Sequence, residues 1–196
     1  MGQVILPALI PDIRRIYDVY FSAFEHDLMG QILLKILFPG SQITDEEFRK
    51  GHAAGTLQYW HASDNQYTLK CVDTDTGEII GMGLDCHVIA VDPKHQGRKA
   101  GQLLVQWGMQ MGELAGLPLY FESSPSTVNL YKKMGFELLP EKIVHKAEVL
   151  GTEKDIEVPL MVKMPSVAGG VTFEEWRQGG YPEFSKEVLP VPVAAV

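Results

Sequence analysis

Apolar residues recur at helical spacing through Ile13, Ile16, Tyr17, Tyr20 and Phe24, and Pro11-Asp12 stands just ahead of them. A proline in the first turn gives up only an N–H that has no partner there, so a helix opens at this point with that face on a core. Val4 to Leu6 reads as a short strand before it. A second apolar segment, Leu28 to Phe38, stops at Pro39-Gly40, and Thr44-Asp45-Glu46-Glu47 has the form of a capping box opening a third helix towards Trp60. From Tyr67 the period drops to two: Tyr67, Leu69 and Cys71 alternate with Thr68 and Lys70, Asp73 to Gly77 supplies a turn, and Glu78 to Met82 returns as a strand. Leu84 to Val91 continues as a strand and ends at Asp92-Pro93, because proline cannot donate to a ladder. Ala100 to Ala115 is a helix with Leu103, Trp107, Met111 and Leu114 on one face, and Gly108 and Gly112 beside that face suggest close backbone packing. Leu117 to Ser123 is a strand, Ser126 to Met134 a short helix closed by Gly135, and strands follow near Phe136 to Leu139, Val144 to Val149 and Glu157 to Lys163. Residues 165–196, with Pro165, Pro182, Pro190, Pro192 and two Gly-Gly pairs, read as an extended arm or lid anchored by Phe173 and Trp176.

The composition narrows the class. With 196 residues and 45% hydrophobic content the chain can bury one core of its own. A net charge of -8 argues against sequence-independent nucleic-acid binding, which needs clustered Lys and Arg. The N-terminus lacks a signal-peptide pattern and no apolar run reaches roughly 18 residues, so a cytoplasmic protein with no membrane partner is expected. Leu6 occupies the position where a myristoylation signal needs Ser or Thr. Cys71 and Cys86 have neither disulfide density nor metal-ligand spacing, and the histidines show no pairing that suggests a metal site, so no metal is expected.

The richest stretch runs from Val88 through Val91-Asp92-Pro93-Lys94-His95-Gln96-Gly97-Arg98-Lys99-Ala100-Gly101 into Leu103-Leu104. A strand feeding a helix through a short polar loop presents free N–H groups at the positive end of the helix dipole, and that makes an anion site. Lys94, Arg98 and Lys99 add charge of the right sign. An ordinary strand-to-helix turn with solvated basic residues fits the same spacing, and the residues alone leave both readings open.

The segment resembles the acyl-CoA motif of the GNAT superfamily of N-acetyltransferases, Gln/Arg-x-x-Gly-x-Gly/Ala, matched from Gln96 to Gly101 with Ala100 between. Lys99 departs from it, standing where the family has its central Gly. Leu130-Tyr131-Lys132-Lys133-Met134-Gly135-Phe136 is similar to the family's second signature, a helix carrying a tyrosine and ending in Gly-Phe, and Ser124 takes the place of a common Asn. Other short stretches, such as Phe21-Ser22-Ala23-Phe24 and Glu122-Ser123-Ser124-Pro125, resemble uncharacterised fungal members.

The resemblance implies an α/β (α+β sandwich) GNAT fold, with a central mixed, mostly antiparallel sheet of six to seven strands and about four helices over residues 1–164, followed by the arm at 165–196. It implies acetyl-CoA as co-substrate, held by the backbone of Gln96, Gly97, Arg98, Lys99, Ala100 and Gly101 and by Ser124 and Tyr131, with the strand amides of Ile89, Ala90 and Val91 facing the thioester oxygen. Tyr131 would protonate the departing thiolate as general acid. Without the phosphate loop beside it, a packing tyrosine on a short amphipathic helix is the favoured reading. A primary amine of a small molecule would attack the thioester directly. Glu122, which shares a strand face with Tyr120 and Ser124, is the leading base; an exposed structural carboxylate is the competing reading, and Asp85 and His87 are in reserve. A protein or peptide acetyltransferase and a non-catalytic acyl-CoA-binding module are the alternatives, and a homodimer built by swapping of the arm is left open.

Overall fold

The computed structural model describes residues 2–25, 28–40, 43–62, 67–84 and 88–184. They form two compact units, Met1–Trp107 with Glu148–Thr152, and Gly108–Ala147 with Glu153–Val196.

The first unit is built on an antiparallel sheet in the order β1 (Gln3–Pro7), β2 (Thr68–Asp73), β3 (Ile79–Leu84), β4 (Val88–Val91). The β2–β3 hairpin stands where period-two alternation places it, with the turn at Asp73 to Gly77 closed by the Gly77 N–H donating to the Asp73 carbonyl at 2.8 Å. Three helices precede β2: α1 (Ile13–Glu25), α2 (Leu28–Leu37) and α3 (Glu46–Ala62). The buried face of α1 carries Ile13, Ile16, Val19, Tyr20 and Phe21, so the expected helical stripe is present, with Phe21 more deeply set than Phe24. The cap of α3 differs by one residue from expectation: Asp45, not Thr44, accepts from the Phe48 N–H at 2.9 Å. Asp satisfies an orphan helix-start donor and also complements the dipole.

Tyr17, Phe21, Phe38 and Phe48 surround His52, with ring centroids at 4.3, 5.6, 5.2 and 5.9 Å from it. His52 Nε2 is buried without a hydrogen-bond partner, and burial lowers the His52 pKa from its ordinary 6.5. The unfolded chain therefore binds the proton more readily than the folded one. Stability from this site is complete above about pH 6.5 and is lost as pH falls through the lower folded value. The denaturant midpoint is expected to fall between about pH 7.5 and 5.5. His52→Phe should flatten that fall, and an equally steep fall in the variant would place the acid sensitivity elsewhere.

The second unit holds an antiparallel sheet in the order β5 (Leu119–Glu122), β7 (Ile156–Lys163), β6 (Glu137–His145). The single mixed sheet expected from the sequence is thus two sheets with seven strands between them, and every ladder among the described residues is antiparallel. The strand expected at Val144 to Val149 is absorbed at its start into β6, and Ala147–Leu150 forms one helical turn, α6. That turn is held by Asp155, which accepts from the Ala147 N–H at 2.9 Å and from Lys146 Nζ at 2.7 Å.

Helix α4 (Ala100–Ala115) has a buried stripe of Ala100, Leu104, Val105 and Gly108, while Leu114, expected on the inner face, is exposed. Small residues face inward here, and a pattern scored on bulk misses them. Gly112 does meet backbone closely: a Cβ there would lie 3.0 Å from the Leu117 carbonyl oxygen, across the turn that the Leu117 N–H closes at 2.9 Å. Beyond β7, residues 165–184 are not extended throughout. They contain a single 3₁₀ turn and helix α7 (Phe173–Gln178), whose Thr172–Glu175 capping box is complete. Phe173 packs against Leu139, Leu160 and Val162 of the second sheet and stacks on Tyr120 at 5.8 Å. No described helix is long and apolar enough to cross a membrane.

Candidate functional site

The turn between β4 and α4 is fixed by backbone shape first. Pro93–His95 makes a 3₁₀ turn, the buried Asp92 carboxylate accepts from the Lys94 N–H at 3.0 Å, and Gln96 is extended. Gly97 and Lys99 then take φ of +76° and +71°. The first bond of α4 runs from the Leu103 N–H to the Lys99 carbonyl at 3.0 Å, so the amides of Ala100, Gly101 and Gln102 precede the helical ladder. Three successive donors at the start of a 16-residue helix face the positive end of its dipole. A Cβ on Gly97 would meet nothing within 4 Å, so the turn is open on that side.

The left-handed φ at Lys99 is one that glycine, the residue of the resembled motif at this position, adopts without cost. A side chain in that region costs roughly 1–2 kcal/mol. Lys99→Gly relieves the strain but loosens the unfolded chain, and the net expectation is a stabilisation of roughly 0.5–1 kcal/mol, about 2 °C in Tm. Gly97→Ala, at the same sign of φ, should shift Tm downward. Thermal unfolding of the two variants checks both signs.

Ion pairs clamp the turn from below. Arg98 Nη2 donates to the Asp73 carboxylate at 2.5 Å and Arg98 Nη1 to His95 Nδ1 at 2.8 Å. A guanidinium only donates, so His95 Nδ1 is the accepting nitrogen. The Arg98 side chain is therefore committed to the fold, and its contribution to an anion is its backbone amide. Asp73 is only 3% exposed, and the Arg98 hydrogen bond, with the Asp75 N–H behind it, holds its carboxyl below the usual range. Arg15 of α1 donates to Asp92 at 2.8 Å and to Glu78 at 2.9 Å. Burial pushes the Asp92 carboxyl up, but the Arg15 bond and the Lys94 N–H outweigh it, and the net direction is down. Glu78, Asp92 and His95 bring ligand-type atoms within 4.8 Å of one another, and the Arg15 guanidinium already bonds both carboxylates. None of these pairings was visible in the sequence, where Asp73 reads only as turn chemistry.

The β4 backbone also sorts by direction. The Asp92 N–H donates to the Ile80 carbonyl at 3.0 Å, and Ala90 pairs with Met82, so Ala90 and Asp92 face β3. Alternation then turns the N–H groups of Ile89 and Val91 towards the outer edge of the terminal strand. Of the three strand amides expected to face an acyl oxygen, Ala90 is spent in the ladder and two remain. Asp85 and His87, the reserve bases, lie outside the described residues.

In the second unit, β5 alternates as expected: Tyr120 and Glu122 are exposed, Leu119 and Phe121 half-buried. Tyr131, on α5 (Val128–Lys133), sets its ring edge-on to Phe121 at 4.5 Å and lies 5.8 Å from Phe136. Burial raises its phenol above 10, and a hydrogen bond with the Thr127 side chain partly opposes the rise. Ser124 is engaged with Ser126 Oγ at 2.8 Å and Thr127 Oγ1 at 3.1 Å, in the turn that opens α5. Beside it Ser123, missed by the sequence reading, is 2% exposed and its N–H donates to the Pro159 carbonyl at 2.8 Å.

Residues 47–138 match the family model of the acetyltransferase (GNAT) domain. A probable acyltransferase of Ajellomyces capsulatus, SID5, is 45% identical over 82 residues, which are 42% of this chain. The chain covers 59% of that relative's length. Among solved structures, a histone acetyltransferase HPA2 and related acetyltransferase from Corynebacterium glutamicum superposes with a TM-score of 0.64 at 19% identity, covering 84% of this chain and 97% of that one. A GNAT phosphinothricin acetyltransferase from Sinorhizobium meliloti, solved in complex with AcCoA, gives 0.60 at 16% identity, covering 84% and 89%. At these identities the structural likeness is one of fold. The domain match over residues 47–138 and the likeness of fold agree with the two signatures at Gln96–Gly101 and Leu130–Phe136.

Proposed function

We propose that the protein is an acetyl-CoA-dependent N-acetyltransferase acting on the primary amine of a small molecule. The observation that carries this reading is the turn from Gln96 to Gly101, where amides precede the α4 ladder over an open glycine surface. Its donor set fits a diphosphate: backbone N–H groups stand at a helix start, and the two buried carboxylates beneath them, Asp73 and Asp92, are bonded to Arg98 and Arg15. When bound, acetyl-CoA supplies an activated thioester carbon. The amides of Gly97 to Gly101 bind and orient its diphosphate, and the outward N–H groups of Ile89 and Val91 hydrogen-bond the thioester oxygen, where preorganised donors are worth most. Tyr131 delivers a proton to the sulfur, a task its neutral phenol suits. Glu122, exposed on β5, takes one proton of the ammonium directly or through water; the amine forms the C–N bond as the C–S bond breaks, and the second nitrogen proton, released as the amide forms, replaces the one that Tyr131 gives to sulfur.

The test is thiol release from acetyl-CoA across a panel of amines, with lysine peptides and a peptide α-amine included. Release that depends on an added small amine is the expected result, and peptide turnover above that of every small amine would shift the acceptor class. Lys99 at the motif glycine and Ser124 at the usual Asn favour a second reading, a non-catalytic acyl-CoA-binding module. It predicts thermal stabilisation by CoA with the form RT ln(1 + [L]/Kd) and no turnover on any amine.

A further inference from the structure

Register sorts the sheet of the second unit into two faces. Tyr120 stands opposite Val162 and Glu122 opposite Leu160, and opposed residues share a face, so these two lie on the other side of the sheet from Phe121 and its contacts with Tyr131 and Phe136. Helix α7 lies on the Tyr120 face: Phe173 packs on Leu139, Leu160 and Val162, and Arg177 bonds Glu141. The Phe173 ring is nearly parallel to that of Tyr120, with 17° between the planes. Tyr120 is nevertheless 45% exposed, so its ring is held on one side and open on the other. The charge beside it is negative. Glu122 is exposed and enters no ion pair among the described residues, whereas Glu141 is matched by Arg177. After burial, the Glu122 and Glu141 carboxylates are what push the Tyr120 phenol above its ordinary 10, with Arg177 opposing them. The phenol therefore stays neutral, and it presents a π face next to an unmatched carboxylate.

We propose that this face of β5 takes a small linear diamine of about four carbons as the acceptor, and that Tyr120 sets the preference by seating the ammonium that does not react against the open side of its ring. The inference rests on the reading of Glu122 as the group that takes the proton of the reacting amine. Side chains two positions apart on one strand stand roughly 6.6 Å apart, close to the nitrogen-to-nitrogen length of such a diamine. With one nitrogen at Glu122, the other falls at Tyr120. The ring quadrupole attracts a cation, and the negative charge of Glu122 adds to that attraction. An anionic acceptor would meet the Glu122 carboxylate, while Arg177, the cation that α7 brings to this face, is already bonded to Glu141 and Glu174. A monoamine leaves the ring unused. Phe173 and its anchors fix the Tyr120 ring before any acceptor arrives, so little ordering is left to binding.

The test titrates the whole chain, with CoA present, against 1,4-diaminobutane and against pentylamine, in which a methyl group replaces the second ammonium, reading binding by calorimetry. Thiol release from acetyl-CoA is then followed with the same two amines. The diamine is expected to bind roughly three- to twentyfold more tightly, the factor that one exposed cation–π contact and one exposed ion pair give together, and to keep that preference in kcat/KM. Tyr120→Leu should cut the preference by roughly two- to fivefold, and Tyr120→Phe, which keeps the π face, should retain it. Pentylamine measured in each variant separates recognition from folding, because a damaged fold weakens both amines alike. Equal affinity of the two amines for the parent chain, or a preference that survives Tyr120→Leu undiminished, overturns the proposal. Thiol release at equal kcat/KM for both amines sinks the diamine seat and keeps the acetyl-transfer reading; a Tyr120-dependent preference in binding without thiol release keeps the seat and sinks that reading.

Discussion

Replacing Tyr131 by phenylalanine is expected to lower kcat by roughly 10²- to 10⁴-fold while acetyl-CoA still binds, the range a positioned general acid supplies. The substitution removes one oxygen and keeps the ring that meets Phe121 and Phe136, so packing in the second unit is left in place. The direction of the phenol's pKa matters for the argument. A general acid must hold its proton until the leaving group takes it, and burial raises the Tyr131 phenol above its ordinary 10. It is therefore protonated throughout the neutral range, and Tyr131 contributes no basic limb to the rate profile below about pH 10. Parent and variant should then show profiles of the same shape between about pH 6 and 9 and differ in height alone. A tighter check separates binding from chemistry: CoA should raise the Tm of both proteins equally. If kcat is unchanged in Tyr131→Phe, proton delivery belongs to another group; if the CoA-dependent rise in Tm disappears with the oxygen, the hydroxyl is a binding element and its acid role fails.

Local features of this site were legible in the sequence, and long-range ones were not. The strand-to-helix turn and the outward face of β5 follow from period and residue type within a dozen positions, and the structure keeps both. The capping residue of α3 and the inner stripe of α4 needed more. Thr44 and Asp45 are both good caps, and the choice between them rests on backbone direction. Ala100 and Gly108 face inward because small residues admit close approach, so Leu114 of the same helix faces solvent. The clamp beneath the Gln96–Gly101 turn lay beyond any local pattern. Arg15 reaches Asp92 across 77 positions and Arg98 reaches Asp73 across 25. A single chain records such pairs only as scattered charges, because what selects them is burial after the sheet has formed. Lys99 shows a third case. Its identity departs from the motif, while its left-handed φ is one that favours glycine.

Phe21→Ala is expected to cost roughly 3–5 kcal/mol, the range for truncating a buried phenylalanine, and to lower Tm by on the order of 10 °C. Phe21 is 1% exposed and sits where α1 meets α2 and α3: its ring lies 5.7 Å from Phe38 and 6.0 Å from Phe48, with the Arg49 guanidinium 5.2 Å above it. Arg49 is itself tied to Asp18 one turn earlier on α1 and to the Ile43 carbonyl at 2.8 Å, so neighbouring side chains are held and cannot collapse far into the vacated space. A site that relaxes little belongs at the upper end of the range. The consequence for function runs through α1. Arg15, two turns before Phe21, holds Asp92 and Glu78, and Asp92 in turn caps the Lys94 N–H at the entry to the Gln96–Gly101 turn. Loosening α1 should therefore raise KM for acetyl-CoA before it lowers kcat, measured well below the variant's Tm. Val4→Ala, at a strand position with 37% exposure, is the matched control and should stay within about 0.5 kcal/mol of the parent. A Phe21→Ala protein as stable as that control would mean that the aromatic cluster around His52 does not hold the first unit together.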